Sequence, residues 1–146
     1  MSQENVEIAT RILTHFRVGD FELDAEGLLA KVADEALLDP EIEWDASEVP
    51  VLDISGVYHG IEGVRQYWRQ WFAAWEIVGP FDYQLVDAGD RVVVLFDNQR
   101  MRGRSTGIEV AVVPYATVWT FRDGRIVNWR FYMSQANALK AVGLEE

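Results

Sequence analysis

Between positions 115 and 134 the chain reads Tyr115-Ala116-Thr117-Val118-Trp119-Thr120-Phe121-Arg122-Asp123-Gly124-Arg125-Ile126-Val127-Asn128-Trp129-Arg130-Phe131-Tyr132-Met133-Ser134. Residues on either side of Arg122-Asp123-Gly124 alternate in character with the period of a strand, and Asp-Gly between two such runs signals a tight hairpin. Upstream, residues 81–88, 91–101 and 108–121 carry the same period and are separated by Gly89-Asp90 and by Arg104-Ser105-Thr106-Gly107. Short turns join neighbours antiparallel, so the second half of the chain is predicted to be a four-stranded antiparallel meander.

Before Gly79-Pro80 the period changes to 3.6. Val64, Tyr67, Trp68, Trp71, Phe72 and Trp75 recur at three- and four-residue intervals, which predicts a helix over residues 61–77. Two further helices are predicted over 6–16, ended by Gly19-Asp20, and over 25–38, with Pro40 just beyond. Residues 42–45 read as an isolated strand followed by a long loop to about Gly60, and 135–142 as a short helix closed by Gly143. Helices segregated from strands make the fold class α+β: one domain over 1–146, with a cone-shaped, curved antiparallel sheet wrapped around about three helices and a cavity between them.

Composition narrows the function. At 146 residues the chain is long enough for one well-buried core, and 13 Lys plus Arg against 24 Asp plus Glu give a net charge of −11. That balance excludes nucleic acid as a partner and opposes binding to an anionic membrane surface. No basic and apolar leader begins the sequence and no run is long enough to span a bilayer, so a cytoplasmic location is expected. There is no cysteine, and His15 and His59 supply the only imidazoles. Thiol chemistry and Cys-ligated metals are therefore excluded, and no spacing of His, Asp and Glu suits a metal. Without a glycine-rich phosphate loop, the expectation is a protein that uses no cofactor. Six Trp, five Tyr and seven Phe give enough ring surface to line a cavity as well as fill a core.

Val18-Gly19-Asp20, Ile42-Glu43-Trp44-Asp45, the run from Gly56 to Val64, the hairpin from Trp119 to Val127 and the tail from Tyr132 to Leu139 together resemble the nuclear transport factor 2-like superfamily, in particular its SnoaL-like, polyketide-cyclase and ketosteroid-isomerase-like members. The resemblance covers nearly the whole chain and implies the same α+β roll. In the isomerase-like members a carboxylate at the end of the first strand moves a proton beside a carbonyl, and Asp45 matches that position. The oxyanion-stabilising Tyr and Asp of those isomerases are replaced by Ile12 and Thr117, which argues against steroid isomerisation, since one such donor is often worth about 3–4 kcal/mol of barrier. Phe131 beside Arg130 departs from the epoxide-hydrolase pattern, and Asp123, the only carboxylate between Tyr115 and Ser134, lies in a turn.

Strand parity gives the cavity wall independently. Tyr115, Thr117, Trp119 and Phe121 share one face, as do Val127, Trp129, Phe131 and Met133 on the next strand. With those apolar faces turned inward, Tyr115, Thr117, Trp119, Trp129, Phe131 and Met133, joined by Tyr58, would hold a planar or polycyclic apolar ligand. Asp45 and His59, with His15 as a further imidazole, would supply the polar entries. Each has a plainer explanation beside it: Asp45-Ala46-Ser47 suits an Asx turn, His59 is a loop histidine before Gly60, and Trp68, Trp71 and Trp75 serve as core. Arg100, Arg102 and Arg104 form either a solvated face, paired in part with Glu109, or an anion site.

Two functions follow. One is cofactor-independent proton transfer (isomerisation, cyclisation or dehydration) on an apolar small molecule, with Asp45 as general base and His59 as acid or orienting group. The other is a non-catalytic ligand-binding or accessory domain. The polar face of Asn128, Arg130, Tyr132 and Ser134 further predicts a homodimer through the sheet.

Overall fold

The computed structural model describes residues 2–17, 37–49, 54–78 and 81–144. In chain order these form α1 (Ser2–Arg17), β1 (Leu38–Asp45), β2 (Val57–His59), α2 (Gly60–Ala74), β3 (Trp75–Ile77), β4 (Asp82–Ala88), β5 (Arg91–Asp97), β6 (Arg100–Gly103), β7 (Glu109–Ala111), β8 (Tyr115–Arg122), β9 (Arg125–Tyr132) and α3 (Gln135–Ala141). The α+β class of the sequence reading is the class observed. Among the described residues no helix is long and apolar enough to cross a membrane.

The main sheet runs β2-β1-β9-β8-β5-β4. Its local pairings are the predicted hairpins. At the β8–β9 turn Asp123 and Gly124 both have positive φ, +53° and +78°, which the tightest right-twisting turn demands and which Asp and Gly tolerate best. The sheet is mixed, however, and the expected purely antiparallel arrangement is corrected. β1 runs parallel to β9, with Trp44 opposite Trp129 and Asp45 opposite Arg130, while its other edge pairs antiparallel with β2. The strand expected to stand alone is thus the second from the edge, held by partners distant in sequence.

Two predicted strands are each broken in two. The run 91–101 kinks at Asn98, whose φ is +58°, and the run 108–121 breaks around Pro114. The released halves, β6 and β7, pair with β3 as a second small sheet in the order β3-β6-β7. The helix expected to reach Ile77 stops at Ala74, because Trp75 to Ile77 pair with Gly103 to Met101. Of the helix predicted over 25–38, residues 25–36 lie outside the described residues, and Leu38 belongs to β1 instead.

α1 and α2 bury Ile8, Ala9, Ile12 and Leu13, and Val64, Tyr67 and Trp71, in one core with the inner faces of β1, β5, β8 and β9. A smaller cluster on the other side of the sheet packs Val93, Leu95, Ala116 and Val118 under Ala138 of α3. Ser134 caps α3, accepting from Asn137 N at 3.2 Å, and Gly143 ends it at φ +80°. One parity expectation changes: the β8–β9 register slips between Thr120 and Phe121, so that Ile126 is fully buried and Val127 is not. A bulge places two residues against one, so the faces exchange on passing it.

Candidate functional site

Trp44, Trp129 and Trp119 are lateral neighbours on β1, β9 and β8, and side chains of directly paired residues share a face. Their rings therefore stack into a three-tier ladder, with centroids 4.4 Å apart for Trp44–Trp129 and 4.0 Å for Trp129–Trp119. Trp119 Nε1 donates to Thr117 Oγ1 at 2.8 Å, whereas Trp44 and Trp129 Nε1 are buried with no acceptor among the described residues. The ladder forms the inner wall of the sheet, and α2 lies against it through Tyr67 and Trp68.

Between α2 and this wall lies an inner cavity of about 70 Å³, reached by Leu13 of α1, by Tyr67, Trp68 and Trp71 of α2, by Phe96 of β5, and by Thr117, Trp129 and Phe131 of β8 and β9. An outer cavity of about 240 Å³ adjoins it, bordered by Val49, Met101, Val110 to Val113 and Met133. Tyr67, Trp71, Gln99, Tyr115 and Phe131 border both and form the neck. Gln99 reaches the neck because of the kink at Asn98, which Asn98 Nδ2 holds by donating to Asp82 Oδ2 at 2.7 Å. There the Tyr115 hydroxyl donates to Gln99 Oε1 at 2.6 Å, and the Tyr115 ring stacks on Phe96.

Tyr58, Tyr67 and Tyr115 hold their protons more tightly than free tyrosine. Burial is the main cause in each case, and in Tyr67 the nearby Tyr115 and Tyr58 hydroxyls add to it. Among the described residues, no Asp, Glu, His, Lys or Arg borders either cavity. Apart from the indole N–H groups of its tryptophans, the polar side chains of the neck and inner wall are Tyr67, Tyr115, Gln99 and Thr117, all uncharged near pH 7.

Of the residues expected at the site, Tyr115, Thr117, Trp129 and Phe131 border the inner cavity, and Tyr115, Phe131 and Met133 the outer one. Trp119 borders neither cavity; it is fully buried and stacked on Trp129. Tyr58 supports Tyr67 edge-on at 5.5 Å and donates to the Ile54 carbonyl at 2.7 Å, outside both cavities.

Asp45 and His59 do not enter the cavities. Trp44 points inward, so its neighbour Asp45 points to the opposite face, beside Arg130, whose Nε lies 3.8 Å from Asp45 Oδ2. Asp45 Oδ1 accepts from Ser47 N at 3.0 Å and Ser47 Oγ at 2.5 Å, the Asx turn anticipated as its plainer role. His59 is exposed on the edge strand, opposite Glu43, where its backbone begins α2 and its side chain makes no cap bond. The register thus puts Asp45 beside Val57 and His59 beside Glu43, and no hydrogen bond joins the two. The side chain of His15 lies outside the description.

Sequence reasoning assigned the tryptophan-rich face of the central helix to core. Trp68 and Trp71 border the cavity as well, while Trp75 stands on β3. Gln99, Val112 and Val113 were also missed, because nothing in an apparently continuous strand marks the kink that carries Gln99 inward. The three arginines are paired: Arg100 with Glu109 at 2.9 Å, Arg102 with Glu76 at 2.8 Å and with Glu109 at 3.5 Å, and Arg104 with Glu76 at 3.4 Å. This is the solvated, partner-neutralised reading of the patch.

A family profile for the SnoaL-like domain matches residues 10–129. The chain belongs to this family. Solved structures similar to this SnoaL-like domain include a nuclear transport factor 2-like protein from Burkholderia xenovorans LB400, with 25% identity over 90% of each chain and a TM-score of 0.67. A protein from Mesorhizobium loti, provisionally described as a SnoaL-like polyketide cyclase, is 24% identical over 87% of this chain and 97% of its own, with a TM-score of 0.60. A nuclear transport factor 2-like protein of unknown function from Burkholderia pseudomallei K96243 is 21% identical over 96% of this chain and 98% of its own, at a TM-score of 0.66. At these identities the likeness concerns the fold. No curated protein matches significantly.

Proposed function

We propose that this SnoaL-like domain binds a flat, largely apolar small molecule in its two-part aromatic cavity and returns it chemically unchanged. The observation that carries this reading is the lining itself. Ring faces and aliphatic groups supply the walls, hydrogen bonding is confined to a few neutral groups at and beside one narrow place, and none of the described lining residues exchanges a proton near pH 7. Proton transfer by Asp45 and His59 would need both groups within reach of one substrate atom. One is engaged in a turn on the far face of the sheet and the other stands at its edge, so the geometry favours binding over isomerase, cyclase or dehydratase chemistry through this pair.

Titration with N-phenyl-1-naphthylamine, an uncharged ring compound that fluoresces in apolar surroundings, tests the reading. Saturable binding at one site is expected, and Val112→Trp, which fills the outer cavity, should abolish it while the circular dichroism of the fold is kept. Absence of saturable binding, or binding indifferent to Val112→Trp, would overturn the proposal.

A further inference from the structure

β7 is an edge strand of the small sheet, paired among the described residues with β6 alone. Gly103 N donates to the Ile108 carbonyl and Val112 N to the Gln99 carbonyl, with Met101 opposite Val110 between them. The backbone groups of Ile108, Val110 and Val112 are therefore turned toward β6. In an antiparallel pair the intervening residues point the other way, so Glu109 and Ala111 present their N–H and C=O groups along the open edge.

The side chains of this edge are apolar and exposed. Of the five large apolar residues that stand exposed among the described ones, three fall here: Ile108 at 61%, Val110 at 37% and Val113 at 64%. From Gly107 to Pro114 the one charged residue is Glu109, and it is engaged within its own sheet by Arg100 at 2.9 Å and by Arg102 at 3.5 Å. A row of free backbone groups flanked by β-branched side chains is a template for another strand.

The pattern of the edge selects a second copy of this chain as that strand, because it is complementary to itself. A two-fold axis through Val110 sets Glu109 opposite Ala111 of the second copy, which satisfies the outward backbone groups of both residues twice over. It also sets Ile108 opposite Val112 and Val110 opposite its own mate, apolar on apolar, and keeps the two Glu109 side chains from facing each other. Charge points the same way. Copies of a chain with a net charge of −11 repel, but the small sheet sets Arg100, Arg102 and Arg104 against Glu76 and Glu109, so the surfaces brought together carry no excess of acid.

We propose that two copies of this chain associate edge to edge through β7, antiparallel about a two-fold axis at Val110, and join their three-stranded sheets into one continuous sheet in the order β3-β6-β7-β7-β6-β3. The rim of the outer cavity, to which Val110 and Val112 belong, then lies at the junction of the two copies.

Sedimentation velocity is run on the native protein and on Ala111→Pro at about 100 µM, a concentration that populates even a weak edge-to-edge dimer. Ala111→Pro removes an N–H that β6 does not use, and proline is tolerated on the open side of an edge strand. The native protein should sediment as a dimer and Ala111→Pro as a monomer with unchanged circular dichroism. A cross-link tests the contact independently, since the chain has no cysteine of its own. Val110→Cys, whose two copies face each other as a non-hydrogen-bonded pair, should form an intermolecular disulfide on mild oxidation. Val57→Cys, comparably exposed on the edge of the main sheet, should not. The cross-link decides the matter if the proline variant does not fold. A native protein that is monomeric at this concentration overturns the proposal. So does a dimer that survives Ala111→Pro and leaves Val110→Cys without a cross-link, which would put the contact on another face, such as that of Asn128, Arg130, Tyr132 and Ser134.

Discussion

Trp129 lies face to face with Trp119, their ring centroids 4.0 Å apart and their planes inclined by 24°, because the two are direct cross-strand partners on β9 and β8. Trp44 extends the stack on the other side of Trp129. The central ring is therefore enclosed on both faces, and the ladder serves two purposes: it locks the parallel β1–β9 pairing to the antiparallel β8–β9 hairpin, and it places Trp129 at the border of the inner cavity.

Removing that central ring should be costly. Trp129→Ala is expected to lower the unfolding free energy by about 3–5 kcal/mol, and Trp129→Phe by clearly less, because a ring in the same place keeps part of the stack. Chemical denaturation with equal m-values for the native protein and both variants is the measurement; a loss for Trp129→Ala below 1 kcal/mol would contradict the ladder's role.

The buried phenols predict an alkaline limit. Tyr67 and Tyr115 hold their protons above the ordinary tyrosine value near 10, so the stability this contributes is intact below that pH and is lost as pH rises beyond it toward the folded-state values. Phenolate absorbance followed from pH 8 to 12 should show these two of the five tyrosines ionising only together with unfolding. The double variant Tyr67→Phe, Tyr115→Phe should flatten the fall in melting temperature above pH 10; an unchanged slope would count against the burial argument.

Asp45 is assigned a local structural role. Asp45→Ala removes the acceptor of the turn to Ser47 and the side chain beside Arg130, and should cost about 0.5–1.5 kcal/mol, whereas Asp45→Asn keeps the turn acceptor and should cost less. Neither change should shift the affinity for N-phenyl-1-naphthylamine by more than about twofold. A tenfold loss of affinity would place Asp45 at the site after all.

Acid should loosen the small sheet first. Hydrogen bonding and charge from Arg100, reinforced by Arg102, hold the Glu109 carboxyl below its usual range. Its contribution is present above the ordinary glutamate value and disappears as pH falls through the lowered one. Amide exchange, corrected for its intrinsic pH dependence, should show β6 and β7 losing protection at pH 3 relative to β8. Glu109→Gln should remove that difference between pH 3 and pH 6.

Where one residue settled the local geometry, the fold was legible from sequence. Asp123-Gly124 named the hairpin, and the alternation from Tyr115 to Phe131 assigned four cavity-lining residues. Breaks that depend on distant partners were not legible. Nothing in Arg91 to Met101 marks Asn98 as a kink, because the left-handed turn there is stabilised by Asp82 of a neighbouring strand. The end of α2 is likewise decided by Gly103, which draws Trp75 into a strand. The outward direction of Asp45 was within reach: once Ile42 and Trp44 are taken as the buried set, parity turns Asp45 away. The resemblance drew attention to its position in sequence, and its side of the sheet was not weighed.

Ligand capture tests the central claim most directly. The protein and its Asp45→Asn variant are each incubated with a metabolite extract, isolated, and analysed by native mass spectrometry with the bound compound released and identified. The account predicts the same flat, largely apolar compound on both proteins, at equal occupancy and with the mass it has in the extract. A compound converted by the native protein and left unconverted by Asp45→Asn would contradict it and restore Asp45 as a catalytic base.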